Sequence, residues 1–527
     1  MIHLYDTTLR DGSQGEGVVF SVEDKLLIIK ALDQLGIHYI EGGYPGSNPK
    51  DVDFFKKAQE LELKTSEIVP FGSTYYPKYQ PEDDPNLKAL LDTGSKTVTI
   101  FGKTWKLHAL DVLRVSPEQN LAIIRESVEF LVSNGRSVIY DAEHFFDGFN
   151  DDSAYALDSL QAAADGGAKC LVLCDTNGGR LPLEVQDGVK QVKDKIDLPV
   201  GIHAHNDAGV GVANSVLAVQ AGVTHVQGTF NGFGERCGNA NLSGIIPTLK
   251  LKLGLDCISD KQLQLLTQTS RLVSELANLP HDDRQAYVGR SAFAHKGGLH
   301  TDAIRKNRLT YEHIDPEKVG NEQRILVSEQ AGRGTILKKI EKEYPDRDKN
   351  SPEIIALFER MKEAERQGYQ YEVAEASFEL MTGEIFGHYH PYFQLVGFRV
   401  IVEGASTIDM KAEATIKVTG PSGETAHTAA DGDGPVNAMD NALRKALEKF
   451  YPTLKKVRLT NYKVRVLDTK AGTGAKVRVL LEASDGKDWW GTVGVSENII
   501  QASWEALTES LAYKLYKDRS LRSSSQN

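Results

Sequence analysis

From Met1 to about residue 255, short apolar runs alternate with amphipathic stretches, and this rhythm is the strongest constraint the chain places on its own fold. The runs Ile2–Tyr5, His38–Gly42, Ser66–Phe71, Lys96–Phe101, Ser137–Asp141, Lys169–Cys174, Val200–His203 and His225–Thr229 read as strands. Between them, Ser21–Leu35, Pro117–Ser133, Asp152–Asp165, Leu183–Lys195 and Ala208–Ala221 place apolar residues at helical spacing. Strands that are apolar on both faces and each followed by a helix build parallel sheets. Eight such units in a segment of this length fit a closed (β/α)8 TIM barrel better than an open sheet.

A barrel of this kind gathers its chemistry at the C-terminal ends of its strands. Those ends carry Arg10 and Asp11, then Glu41, Glu143, Asp175 with Thr176, His203 with His205, and Asn231. Residues two apart on a strand share a face, so His203 and His205 converge on one point. Imidazole nitrogens and a carboxylate suit a divalent Zn, Mn, Fe or Co ion, and three protein ligands leave positions open for substrate. Asp175, Asn206 and Asn231 serve equally well as helix caps or loop residues. His388-Tyr389-His390 repeats the spacing, but Pro391 follows it and the surroundings read as linker. Asp431-Gly432-Asp433-Gly434 starts like a calcium loop, yet its twelfth position is Ala442 where a glutamate is needed, so it reads as a turn and helix start.

At these same residues a family resemblance emerges. Asp6-Thr7-Thr8-Leu9-Arg10-Asp11-Gly12-Ser13-Gln14, Ile40-Glu41-Gly42-Gly43-Tyr44-Pro45, Cys174-Asp175-Thr176-Asn177-Gly178, His203-Ala204-His205-Asn206-Asp207 and Asn231-Gly232-Phe233-Gly234-Glu235-Arg236-Cys237-Gly238-Asn239 resemble the 2-isopropylmalate/homocitrate/citramalate synthase family. The opening segment and Phe71-Gly72-Ser73-Thr74 most resemble the members that condense pyruvate with acetyl-CoA. The resemblance implies an acyltransferase of isoleucine biosynthesis that converts acetyl-CoA and pyruvate into citramalate and CoA. Isopropylmalate or homocitrate formation is the nearer alternative, and a metal-dependent aldolase or lyase the more distant one.

The resemblance also implies roles. A divalent metal, Zn, Mn, Mg or Co, would be held by Asp11, His203 and His205, with Asn239 as a fourth ligand. Arg10 would sit over the keto oxygen, Gln14 and Thr176 would bind substrate, and Glu143, His300 and Tyr311 would be catalytic. The segment Ala292–Ala303 carrying His300 would reach into a partner subunit's barrel, so that a homodimer shares its sites. Arg290, Lys296, Arg305, Lys306 and Arg308 are candidate contacts for the anionic CoA. Phe71 and Tyr140 are candidates for a small apolar pocket wall.

Beyond the barrel, taken as residues 1–255, residues 256–390 read as a helical connecting subdomain carrying His300 and Tyr311. Residues 391–518 read as a C-terminal α+β regulatory and dimerisation domain, with 519–527 as a disordered tail. In that domain strands are expected at Phe393–Glu403, Lys411–Thr419, Lys463–Leu467 and Lys476–Ala483, and helices at Val436–Tyr451 and Glu497–Tyr516. Ala442-Leu443 and Ala506-Leu507 hold like places in the two helices, which suggests a module duplicated about 64 residues apart. The resemblance makes isoleucine its effector. A net charge of −12 argues against nucleic-acid binding, and Cys170, Cys174, Cys237 and Cys257 have no zinc spacing and read as reduced thiols. No run approaches the length of a membrane-spanning helix and no leader is evident, so a cytoplasmic location is expected.

Overall fold

The structure, a computed structural model, describes the chain except residues 297–299, 301–302, 305, 327–331, 342, 406–407, 468–473 and 525–527. It divides into two compact units, Met1–Ala294 with Glu312–Arg324, and His295–Tyr311 with Ile325–Asn527.

In the first unit, the strands β1 (His3–Asp6), β2 (Tyr39–Gly43), β3 (Glu67–Ser73), β4 (Thr97–Lys103), β5 (Ser137–Glu143), β6 (Cys170–Asp175), β7 (Val200–Ala204) and β8 (His225–Gly228) form a closed barrel. It shuts where β1 pairs parallel with β8, His3 lying opposite His225 and Asp6 opposite Gly228. The Asp6-Thr7-Thr8 triplet fastens that seam. Thr7 gives its N–H and hydroxyl to the Gly228 carbonyl at 2.9 and 3.2 Å. Thr8 Oγ1 accepts from the Phe230 N–H at 2.9 Å and donates to Asp6 at 2.7 Å.

The helix α1 (Val22–Leu35) shows how the sequence sets an element. Ser21 and Asp24 form a capping box at its start, a contribution of about 1 kcal/mol, and Gly36 ends it in the left-handed region at φ 93°. Ile28, Ile29, Leu32 and Leu35 then make one buried stripe against the strands.

Strand alternation sorts the barrel's residues into two sets. Outward side chains, among them Leu4, Ile100, Tyr140, Leu171, Leu173 and Ile202, join the helices in the main core. Inward ones, Tyr5, Val69, Ile139, Cys170, Val172 and Cys174, form a separate apolar plug. Beside that plug the interior turns polar, with Glu41, Thr99, Asp141 and Gln227 all buried.

In the second unit, helices at Arg333–Ile340, Pro352–Gln367 and α2 (Glu375–Ile385) precede two antiparallel sheets. One is β9 (Gln394–Ala405), β10 (Ile408–Thr419) and β11 (Thr425–Gly432), followed by α3 (Pro435–Leu447). The other is β12 (Arg458–Val466), β13 (Val477–Ser484) and β14 (Trp489–Ser496), followed by α4 (Ile499–Ser524). The repeated module is therefore three strands and a helix, one strand more per copy than the sequence pattern shows. Its two copies share fine detail: Thr428 donates to the Ala442 carbonyl at 2.8 Å, and Thr492 to the Ala506 carbonyl at 2.7 Å. The last helix runs to Ser524, into the stretch expected to be a disordered tail, since extending a helix costs far less than starting one. Among the described residues, no helix is long and apolar enough to cross a membrane.

On α4, Glu509 accepts a hydrogen bond from the Ser377 hydroxyl of α2. Burial, reinforced by the nearby Glu505 and Glu384, outweighs that bond and raises its pKa from 4.5 to about 7. Between those two values the folded protein keeps a proton that the unfolded chain has lost, so stability falls as pH rises through the window. Glu509→Gln is expected to stabilise this unit by about 3 kcal/mol at pH 8 and by about 1 kcal/mol or less at pH 5. Calorimetric unfolding at both pH values checks this, and an equal gain at both would contradict it.

Candidate active site

The turn after β1 brings Asp11 to the end of β7. Its Oδ2 lies 3.1 Å from His203 Nε2 and 3.8 Å from His205 Nε2, and the two ring nitrogens are 3.3 Å apart. All three side chains are buried, and their donor atoms lie within 4.8 Å of one another. Burial alone would raise the Asp11 pKa, but Arg10 and His203 prevail and hold it well below the usual carboxylate range. Burial, then the neighbouring His203, pushes His205 down to about 3. Metal ligation needs an ionised carboxylate and neutral imidazoles, the direction in which Asp11 and His205 are shifted. At His203 burial is outweighed by the hydrogen bond and charge of Asp11, which raise the pKa, so a metal would displace that proton.

Two imidazole nitrogens and one carboxylate oxygen converging in a buried space make a divalent-metal-binding triad. With nitrogen as the majority donor it suits Zn, Mn or Co better than Mg, which prefers oxygen. Asn239 stands beside the triad, but its amide N–H, rather than its oxygen, faces Asp11 Oδ2 at 2.7 Å. Among the described residues its Oδ1 is buried without a partner, and a half-turn of the amide would bring an oxygen to the triad. The glycines of its loop are there for close approach. At Gly238, φ is +81° and a Cβ would sit 1.9 Å from the Gly232 carbonyl, and at Gly234 a Cβ would sit 2.5 Å from Asn239 Oδ1.

Arg10 is fixed from two sides. Its Nε donates to Glu41, whose other oxygen accepts from the Tyr5 hydroxyl at 2.8 Å. Its guanidinium lies 3.8 Å over the Phe71 ring, which stacks in turn on Phe101 with centroids 5.3 Å apart. Above the triad opens a cavity of about 570 Å³, lined by Arg10, Gln14, Phe71, Glu143 and Thr176 among others. Glu143 is paired with Lys103. The Thr176 oxygen accepts from the His144 N–H at 2.9 Å, which leaves the hydroxyl hydrogen free to be given elsewhere.

Other expectations sort themselves by strand face. Tyr140 is fully buried on the outer side of β5 and does not line the cavity, whereas its neighbour Asp141 and the stacked Phe101 do. Glu41 serves Arg10 and Tyr5. Asn231 bonds Ser270 and Ser274 at 2.8 Å, and Asn206 accepts from the Gly211 N–H at 3.0 Å, so both are structural ties. His300 and Tyr311 belong to the second unit, where their rings stack with centroids 4.1 Å apart. Of the candidate CoA contacts, Arg290 is in the first unit, Lys296 pairs with Glu372 at 2.7 Å in the second, and Arg305 lies outside the described residues. The cysteines are free thiols, three of them buried and Cys237 exposed.

Comparison with known proteins bears on the whole chain. Residues 1–273 match a family described as HMGL-like, residues 287–368 one described as Homocitrate synthase post-HMGL domain-like, and residues 372–515 one described as LeuA allosteric (dimerisation) domain. The (R)-citramalate synthase of Geobacter sulfurreducens is 53% identical over 99% of both chains. Those of Aquifex aeolicus and Synechocystis sp. are each 51% identical, the former over 98% of both chains, the latter over 97% of this chain and 96% of its own. Sharing more than half its residues with these relatives from end to end, the chain belongs to the (R)-citramalate synthase family.

Proposed function

We propose that the protein joins the methyl carbon of acetyl-CoA to the keto carbon of pyruvate and hydrolyses the thioester with one water, releasing (R)-citramalate and CoA. The observation that carries this reading is the buried Asp11–His203–His205 convergence at the floor of a cavity edged by Arg10, in a chain more than half identical to citramalate synthases. A divalent cation held by Asp11, His203 and His205, with Asn239 as a further ligand, would supply Lewis-acid polarisation of the keto group.

The protein's own groups do the rest. Arg10 spends its Nε on Glu41 and brings one terminal nitrogen to 3.7 Å from Asp11, and from that position its terminal N–H groups serve the oxygen on which negative charge grows. Thr176 gives its free hydroxyl hydrogen, and Gln14 its amide, to the substrate carboxylate. Glu143, with Lys103 beside it, acts with His300 as the acid/base pair for the methyl proton. His300, against which Tyr311 stacks, takes the proton from the acetyl methyl group in the barrel of the partner subunit. Phe71 and Phe101 line the cavity with two aromatic rings, which favours a keto acid with a small side chain. The C-terminal module forms the homodimer and binds isoleucine as a feedback effector.

Initial rates with pyruvate, 2-oxoisovalerate and 2-oxoglutarate test the substrate choice. Apolar walls separate side chains differing by one or two carbons by roughly 10- to 100-fold. Pyruvate is expected to lead by that margin, and a faster reaction with 2-oxoisovalerate would reassign the chain to isopropylmalate formation.

A further inference from the structure

Gln227 sits on the inner face of β8, fully buried, between two side chains that decide which way its amide points. Its Nε2 lies 3.0 Å from Asp141 Oδ1, and its Oε1 lies 2.9 Å from His203 Nδ1. An amide nitrogen donates and a carboxylate accepts, so Asp141 holds the nitrogen on its own side and turns the oxygen toward His203. An amide oxygen only accepts, so His203 Nδ1 must carry the ring hydrogen. In the neutral ring, the form that ligates a metal, the lone pair is thereby left on Nε2, the atom 3.1 Å from Asp11. His205 has no such support, since its Nδ1 is buried and lacks a hydrogen-bond partner among the described residues.

We propose that Gln227, aimed by Asp141, is a positioning residue for the metal centre: it holds His203 in the tautomer and ring orientation that turn Nε2 toward Asp11 and His205. The chain of contacts runs across the barrel interior from β5 through β8 to β7, three strands whose backbone positions are set by the closed sheet. This makes the support rigid as well as directional. Partners of this kind behind a ligating imidazole typically change metal affinity by about 10- to 100-fold when removed. The inference rests on reading Asp11, His203 and His205 as the ligands, and its test separates the two.

Metal-free protein is titrated with Co²⁺ and binding is followed by visible absorption, with circular dichroism reporting the fold. Wild type is expected to bind one equivalent, and His205→Ala to bind none. Gln227→Met, similar in volume but without the acceptor, is expected to weaken binding by about 10- to 100-fold. Asp141→Asn is expected to weaken it as well, because an asparagine can present either a nitrogen or an oxygen and so lets Gln227 turn over. The double variant Gln227→Glu with Asp141→Asn keeps one buried carboxyl and restores the order of donors, Asn to Glu and His203 to Glu, and is expected to recover affinity to within about threefold. Gln227→Met and Asp141→Asn both binding within twofold of wild type would overturn the proposal. Should Gln227→Met fail to fold, a double variant no tighter than Asp141→Asn alone would overturn it instead. If His205→Ala bound Co²⁺ like wild type, the fault would lie with the triad and not with its support.

Discussion

Replacing Arg10 with lysine is expected to lower kcat by about 10² to 10³, equivalent to roughly 3 to 4 kcal/mol of lost transition-state stabilisation, while the KM for pyruvate changes far less. The positive charge survives the substitution, so the loss must come from geometry. Arginine can give Nε to Glu41, lie flat on Phe71 at 3.8 Å and still direct N–H groups into the cavity. A lysine ammonium is a single point on a flexible stem and cannot serve Glu41 and a developing alkoxide together. With Glu41 fully buried, the ammonium would be drawn to it and away from the substrate. Steady-state kinetics with pyruvate and acetyl-CoA, alongside Co²⁺ titration to show that the triad is intact, check the result. A kcat within threefold of wild type would remove Arg10 from the chemistry.

Most of the barrel is legible in the sequence because its strands are short apolar runs between helices of clear periodicity. All eight expected strands are present with ends shifted by a residue or two. The His203–His205 convergence follows from strand geometry alone, and the Asp11 contribution from its place at the end of β1. What the linear pattern conceals is which side chains share the barrel's interior. Gln227 looks unremarkable on its own and nothing in the linear pattern joins it to Asp141, which reads there only as a rival to Glu143; the closure of β8 onto β1 and the registers of β5 to β8 bring both behind His203. Tyr140 could have been excluded by phase, since it alternates with Asp141 and Glu143 along β5. In the second unit, β11 and β14 escape a pattern reading for compositional reasons. Thr425–Gly432 is made of small and polar residues, and Trp489–Ser496 is interrupted by Gly491 and Gly494, so neither shows the alternation that marks a half-buried strand. The duplication itself was visible in the helices because their buried Ala-Leu pairs keep the spacing.

Turnover is expected only when the Asp11–His203–His205 triad holds a metal. Those donors are buried, two of them bring ring nitrogens to 3.3 Å of each other, and Asp11 is held ionised beside them, a convergence of ligand atoms suited to a divalent cation. The measurement that tests it most directly is release of free CoA thiol from acetyl-CoA and pyruvate by protein stripped with a chelator and then refilled with Zn, Mn, Co or Mg in turn. Stripping should depress the rate by about 10³-fold or more, and at least one of Zn, Mn and Co should restore it, with Mg the weakest of the four. Undiminished CoA release from the metal-free protein, or none after refilling with any of the four, would contradict the account.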